Sequence, residues 1–379
     1  MRRDIHNKEI ARLFLKLGFI GFGGPAAHIA MMRSEVVVKR KWMSEQHFLD
    51  LLGATNLIPG PNSTEMAIHI GHEKGGWKGL LVAGLCFILP AVFITGIFAF
   101  LYRQYGQLPE VQPFIYGIKP AILAVVVGAV YPLTRKSVKS IFLGFTGVIV
   151  LIASLFGVEE LYLMFGSGLL ALALFHFKNS KGNTLQNIIP ITFLKIAQKT
   201  FCTVDNGQLF WIFLKIGSIL YGSGYVLFAF LDTELVATGL LTRQQLIDAI
   251  AVGQFTPGPV FSSVTFIGFL INGPSGAVIS TVAIFLPSFV FVALLNPIIK
   301  KLRNNIGLYS FLDAVNVASV AIVIAVCFEM GKETITDWRT IVIALFSAVI
   351  VIKFKKINSA FVVLGGSSLG YLLFQLFSK

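Results

Sequence analysis

Apolar residues gather into runs separated by short polar stretches, at 11–32, 46–72 (interrupted), 77–101, 114–134, 140–156 and 160–177. Most are close to the length a helix needs to cross a hydrocarbon core of roughly 30 Å at about 1.5 Å per residue. The runs then stop. Residues 178–207 carry Lys178, Lys181, Lys195 and Lys199 with Gly182 and Pro190, a mixture that predicts a cytoplasmic amphipathic linker. Six further runs follow at 209–230, 245–271 (interrupted), 276–299, 308–330, 338–352 and 357–377. The pattern predicts an all-α polytopic membrane protein with an N-terminal membrane repeat at 1–177, the linker at 178–207 and a C-terminal membrane repeat at 208–379.

Internal similarity relates the two sets. At an offset of 199, Phe14, Leu15, Lys16, Gly18, Ile20 and Gly23 match Phe213, Leu214, Lys215, Gly217, Ile219 and Gly222, six identities in ten positions. At 198, Gln46, Asp50, Pro59, Gly60 and Pro61 match Gln244, Asp248, Pro257, Gly258 and Pro259. At 197, Ala121, Ala124 and Val126 match Ala318, Ala321 and Val323. Single-residue loop deletions produce such a drift, and the chain reads as a duplicated unit.

Loop charges orient the halves. Loop 33–41 carries Arg33, Lys39, Arg40 and Lys41, whereas its counterpart at 231–239 carries Asp232 and Glu234 with no Lys or Arg. Arg103 with Glu110 is answered by Lys300, Lys301 and Arg303, and Arg135, Lys136 and Lys139 by the mixed set Lys332, Glu333, Asp337 and Arg339. Glu159 and Glu160 are answered by Lys353, Lys355 and Lys356. Lys and Arg collect in cytoplasmic loops, so these exchanges predict an inverted-topology repeat. Segment 11–32 then has two readings. Either it re-enters, bending at Gly21, Gly23, Gly24 and Pro25, or the N-terminus lies outside against its charge.

Composition agrees with the membrane reading. The chain is 55% hydrophobic and 13% charged with mean hydropathy +0.80, where a soluble domain is roughly 25% charged. A soluble enzyme, a secreted protein and a disordered chain are excluded. The net charge of +13 would point to nucleic acid in a soluble chain, but here the basic residues sit between apolar runs and report topology, so no nucleic-acid partner is expected. Cys86, Cys202 and Cys327 match no metal or redox spacing and read as packing residues. Met1 to Arg12 is polar and mixed in charge and no small-residue cleavage site follows, so no removable signal peptide is read.

The chemistry concentrates at Asn56-Leu57-Ile58-Pro59-Gly60-Pro61-Asn62-Ser63-Thr64-Glu65 and its repeat Gln254-Phe255-Thr256-Pro257-Gly258-Pro259-Val260-Phe261-Ser262-Ser263. Each follows an N-cap signal, Ser44 or Thr242, and a helical run. Proline lacks an N–H and clashes with the preceding turn, so two around a glycine break the helix, and the second suits the first position of a new one. A helix N-terminus presents free N–H groups and the positive end of the dipole, a natural anion site. Asn62, Ser63 and Thr64, and Ser262 and Ser263, add side-chain donors there. A plain proline kink is the competing reading; two motifs at equivalent places favour the anion site.

Gly21-Phe22-Gly23-Gly24-Pro25 and Tyr221-Gly222-Ser223-Gly224 end or bend the first run of each half, for close helix packing or to line a permeation path with backbone. No strand precedes them, so a nucleotide-binding loop is rejected. Lys16 and Lys215 stand at equivalent places in apolar runs, either as functional charges or as ammoniums that snorkel to the nearest surface. Lys119, beside Pro120, has Asn316 as its counterpart. Asn62, Glu65, His69 and His72 share one helical face after the first break, where the second half has Val260, Ser263, Ile267 and Leu270. A proton relay and a solvated helix end near Glu73 and Lys74 both fit this stripe. The His pair lacks a third ligand, so no metal site is expected.

These motifs resemble the chromate ion transporter family in its long two-domain form. The likeness rests on Phe14-Leu15-Lys16-Leu17-Gly18 running into Phe22-Gly23-Gly24-Pro25-Ala26-Ala27-His28, on Leu57-Ile58-Pro59-Gly60-Pro61-Asn62-Ser63, and on Gly75 to Gly79. It recurs at Phe213 to Gly224 and Gln254 to Pro259 and covers nearly the whole chain. The resemblance implies efflux of chromate across the plasma membrane driven by the proton motive force, with sulfate as the isosteric competitor. The chain departs from the family pattern at Gly222-Ser223-Gly224-Tyr225, where a glycine triplet followed by His is usual, and at Asn56, where Gln is expected.

The combined expectation is a secondary transporter for a tetrahedral dianion, not an enzyme, with its site between the two broken helices. The expected lining is Lys16, Gly23, Gly24, His28, Gly60, Asn62, Ser63, Thr64, Lys215, Gly222, Gly258, Ser262 and Ser263, with Glu65 and His69 for proton coupling. Expected partners are chromate or a sulfate-like dianion and the lipid bilayer, with a homodimer allowed for; no cofactor is expected. The alternatives are sulfate or another oxyanion as substrate, or a polytopic membrane enzyme such as a lipid phosphatase. For the enzyme, His28, Glu65 and His69 are the candidate groups, and no nucleophile and base repeat together.

Overall fold

A computed structural model describes residues 7–22, 24–179, 204–221, 224–295, 306–354 and 357–377. Outside these lie Gly23, Cys202, Gly222, Ser223, most of the expected linker, the basic group Lys300, Lys301 and Arg303, and Lys355 and Lys356. The first half runs α1 (Asn7–Ile20), α2 (Gly24–Arg33), a π-helical turn (Ser34–Lys39), α3 (Glu45–Thr55), α4 (Asn62–Tyr105), α5 (Gln112–Ser137), α6 (Ile141–Leu155) and α7 (Glu160–Asn179). The second half repeats the order: α8 (Asn206–Ile219), α9 (Val226–Leu231), a π-helical turn (Asp232–Val236), α10 (Arg243–Phe255), a short 3-10 turn (Val260–Ser262), α11 (Ser263–Leu295), α12 (Ile306–Thr334), α13 (Trp338–Lys353) and α14 (Ser359–Phe377).

Six described helices, α4, α5, α7, α11, α12 and α14, are long and apolar enough to cross a bilayer. Phe93, Ile97, Phe145, Leu345 and Phe361 stand exposed on the outside, the arrangement of a protein whose solvent is hydrocarbon. The chain is an all-α multi-pass membrane protein. Segment 11–32 is broken at its glycines into α1 and α2, of 14 and 10 residues. At about 1.5 Å per residue neither reaches across a core of roughly 30 Å, so the segment does not cross as one helix.

The expected caps form. Ser44 accepts from the His47 N–H, and Thr242 makes a capping box with Gln245. The second proline of each break differs from expectation in one respect. Pro61 (φ −78, ψ 98) and Pro259 (φ −68, ψ 133) take the extended cap position rather than the first helical one. In the second half a 3-10 turn then leads into α11, with the Ser262 N–H donating to the Pro259 carbonyl at 2.9 Å.

α4 and α11 each fold back on themselves. Gly76 (φ 57, ψ −146) and Gly273 (φ 63, ψ −151) lie in a region essentially reserved for glycine. The arms press together through small residues: a methyl group on Gly71 would come within 2.3 Å of the Gly79 carbonyl, and one on Gly268 within 2.4 Å of the Gly276 carbonyl. Each half therefore carries a hairpin whose bend is the Pro-Gly-Pro break, made by α3 with the first arm of α4 and by α10 with the first arm of α11.

The second arm of α4, residues 77–105, measures where these hairpins sit. Near its start, Gly79 meets Gly71 and Ile10 of the first half. At its middle, Ala91 faces Gly258, and Thr95 donates to Ser262 at 3.4 Å. Near its end, Tyr102 donates to Asp248 at 2.6 Å, and Arg103 lies over the Phe269 ring and beside Gly273. The two hairpins thus approach from opposite ends of one helix, and their breaks come to its middle.

The remaining helices exchange between halves. α5 packs against α13 and α14, and α12 packs against α6 and α7. Gly117 of α5 makes the α14 contact by close backbone approach to Gly366 and Gly370, whose spacing of four residues is the small-residue pattern of membrane helix pairs. The halves are repeats in sequence and interleaved in space.

Candidate functional site

Both breaks are buried from the first proline to the last, and both glycines have positive φ, 134 at Gly60 and 96 at Gly258. Their N–H groups are used reciprocally. Gly60 donates to the Leu220 carbonyl at 2.7 Å, and Gly258 donates to the Gly21 carbonyl at 2.7 Å. Gly21 and Leu220 are equivalent residues, each just past the end of the first helix of its half. A helix end leaves carbonyls without partners. Here the break of the opposite half supplies a donor.

Side chains crowd these glycines. A methyl group on Gly60 would lie 2.3 Å from Glu65 Oε1 and 2.7 Å from Ser288 Oγ; one on Gly258 would lie 2.8 Å from the Ala91 Cβ. Glu65 and Ser288 therefore converge at the first break, although they belong to different halves. Tyr221 stands within electrostatic reach of the same carboxylate. Glu65 is fully buried, with the Ser288 hydroxyl in reach of its carboxylate and no ion pair among the described residues. Both ring nitrogens of His69, one turn on, and the Thr64 hydroxyl have no hydrogen-bond partner among the described residues. Ser63 is buried beside them. Asn62 is half-buried and donates to Asn56 Oδ1 at 3.0 Å, while His72 packs edge-on against Trp77. Of the titratable stripe, Glu65 and His69 face the interior.

At the second break Ser262 accepts from Thr95, and Ser263 Oγ has no partner among the described residues. Further along, the Ser280 hydroxyl is likewise unpartnered among the described residues, while Ser288 is in reach of Glu65 and Gln254 of Tyr225. His28 joins the junction from α2, its Nε2 donating to the Gly21 carbonyl at 2.8 Å and its ring edge-on to Phe87. Gly24 (φ 78) faces the Tyr225 hydroxyl of the other half. A buried polar group without a partner costs about 1–3 kcal/mol. Several of them along two crossed breaks call for a partner that the fold itself does not supply, whether water, a ligand or a proton.

Lys16 and Lys215 are placed elsewhere. Each reaches a carboxylate 19 residues later, in the π-helical turn of its half: Lys16 to Glu35 at 3.0 Å and Lys215 to Glu234 at 2.5 Å. Glu35 is buried and also pairs with Lys39 and Arg40. The lysine ammoniums therefore stand at these turns, not at the breaks. Gly23 and Gly222 fall outside the described residues. Ser288 and Thr95 enter the site without having been expected there, and Tyr221 and Tyr225 enter through side chains of a stretch expected to contribute its glycine backbone. The signal for Ser288 was a hydroxyl beside Pro287 in a mostly apolar run.

A family model described as chromate transporter matches the chain twice, at residues 8–172 and 207–371. The chain is 32% identical over 349 residues to the "Probable chromate transport protein" of Synechococcus elongatus, covering 90% of this chain and 89% of that protein. It is 29% identical over 383 residues to the chromate transport protein of Cupriavidus metallidurans, covering 97% and 94%. An uncharacterized transporter of Bacillus subtilis is 31% identical over 176 residues, which is 45% of this chain and 88% of that protein. A relative about the size of one half thus exists as a separate chain. No solved structure matches the chain.

Proposed function

The chain belongs to the chromate transporter family, and from that premise we propose that it is a secondary transporter exporting chromate across the plasma membrane, driven by the proton motive force. Its halves lie in opposite orientation. The exchanged loop charges support this, as does the entry of the two hairpins from opposite ends of α4.

The observation that carries the reading is the reciprocal pair of hydrogen bonds, Gly60 to Leu220 and Gly258 to Gly21, which ties both breaks into one junction. The helix starts after the breaks bring N–H groups and hydroxyls there. These replace the hydration of a tetrahedral dianion without a full counter-charge. The lining is Gly24, His28, Gly60, Asn62, Ser63, Thr64, Gly258, Ser262 and Ser263. Glu65 and His69 exchange the proton. A buried carboxylate without a cation beside it is costly to hold charged, so proton uptake and anion occupancy favour each other. A dianion leaving with one proton carries one negative charge outward, and an inside-negative potential drives that by about 2.3 kcal/mol per 100 mV. An inside-alkaline pH gradient opposes the proton, so the potential is the part of the proton motive force that drives export.

Chromate and sulfate flux in proteoliposomes, with potential and pH gradient imposed separately, tests the reading. Chromate efflux accelerated by an inside-negative potential and slowed by competing sulfate is expected. Absence of chromate flux, or turnover of a phosphate ester by the purified protein, would overturn it.

A further inference from the structure

Below the second break, α10 carries a second buried polar cluster, apart from Glu65 and His69. Asp248 is 4% exposed and is the one carboxylate between residues 243 and 295. Both its oxygens accept from neutral donors, Oδ2 from Tyr102 of α4 at 2.6 Å and Oδ1 from Gln244 at 3.3 Å. Lys119 of α5 stands in electrostatic reach of this carboxylate, and α5 packs on α10. Among the described residues the Lys119 ammonium makes no ion pair and no hydrogen bond. It is half-buried, seven residues into a crossing helix, or about 10 Å from that end at 1.5 Å per residue.

The contrast with the other lysines in apolar runs is direct. Lys16 and Lys215 each hold a carboxylate at 3.0 Å or less, so their donors are occupied. Lys119 offers three donors and a full charge, while the acid that steadies it is turned to Tyr102 and Gln244. An ammonium inside a membrane span is costly without a role. The cluster lies at the end of α4 where the second hairpin enters, and Arg103 adds a cation at the same end. On the opposite approach the equivalent of Lys119 is Asn316.

Building on the oxyanion reading, we infer that Lys119 is a substrate-binding residue, an anion-holding ammonium at the end of α4 where the second hairpin enters, with Asp248 as its positioning residue. In the proposed orientation this is the external end, so an exported dianion meets Lys119 after it leaves the breaks, and this group is present at one end only.

The test uses full-length protein in which Cys86, Cys202 and Cys327 are replaced by serine, reconstituted in proteoliposomes. For chromate presented from the Lys119 face in exchange, Lys119→Gln should raise the KM about tenfold with little change in kcat, the signature of a lost binding contact, whereas Lys119→Arg should stay within about twofold. Lys119→Cys should be weak, should recover when methanethiosulfonate ethylammonium restores a positive charge, and should not recover with the sulfonatoethyl reagent. Chromate should protect that cysteine from modification. A parental KM in Lys119→Gln overturns the inference, and so does failure of the cationic reagent to rescue Lys119→Cys. Parental protein that moves neither chromate nor sulfate overturns the functional reading itself, a separable result.

Discussion

The two breaks are built alike and equipped differently. Each glycine gives its N–H to the carbonyl end of the opposite half's first helix at 2.7 Å, so the backbone of the junction is nearly symmetric. Around Gly60 the fold has gathered Glu65, His69 and Ser288, whereas around Gly258 it has Ala91, Ser262 and Ser263. The repeat supplies shape twice and a buried carboxylate beside the break once. On the proposed reading the duplicated scaffold presents helix ends to an anion from both sides, while the carboxylate that exchanges the proton stands on one.

Substituting the glycines has the largest expected effect. Gly60→Ala and Gly258→Ala each place a side chain at positive φ, a strain of about 1–3 kcal/mol, and each adds overpacking of about 1–3 kcal/mol. Thermal unfolding in detergent and chromate flux should both fall, more for Gly60, which is crowded from two sides. Ala91→Gly should restore part of the stability of Gly258→Ala, because the Ala91 methyl is the nearest obstacle there. Full stability in Gly60→Ala would mean the break is looser than described.

Next comes the chemical difference. Glu65→Gln should leave chromate exchange intact and remove its response to an imposed pH gradient, while Ser263→Ala should leave that response unchanged. A full gradient response in Glu65→Gln moves the coupling to another group, with His28 the next to substitute.

The smallest effects belong to the π-helical turns. Lys16→Gln and Lys215→Gln should each change stability by no more than about 1 kcal/mol, as half-exposed ion pairs do. Lys16→Gln should change it less, since Glu35 keeps Lys39 and Arg40. Differential unfolding of the two variants measures the order, and a larger loss for Lys16→Gln would show that Glu35 depends on that lysine.

The breaks were legible because proline has no N–H to give a helix, and the common face of Glu65 and His69 because four residues make about one turn; that this face turns inward was not, since a solvated helix end fitted the same spacing. The fold-back of α4 was not. Glu73 and Lys74 mark a polar interval, but the direction the chain takes there is set by the backbone angles of Gly76, which any glycine could adopt. Lys16 and Lys215 look unpaired in sequence because their carboxylates lie beyond a glycine bend and a short helix. Ser288 beside Glu65 and Tyr102 on Asp248 join residues more than 100 positions apart, and only the packing of α4 on α11 and α10 brings them together.

Accessibility at two equivalent positions decides whether the halves lie in opposite orientation. Val38 is 59% exposed, and its counterpart Ala237 is exposed too. In protein lacking Cys86, Cys202 and Cys327, Val38→Cys and Ala237→Cys should react with a membrane-impermeant maleimide from opposite faces, Ala237→Cys in intact cells and Val38→Cys only after permeabilisation. Labelling of both from the same face would contradict the account.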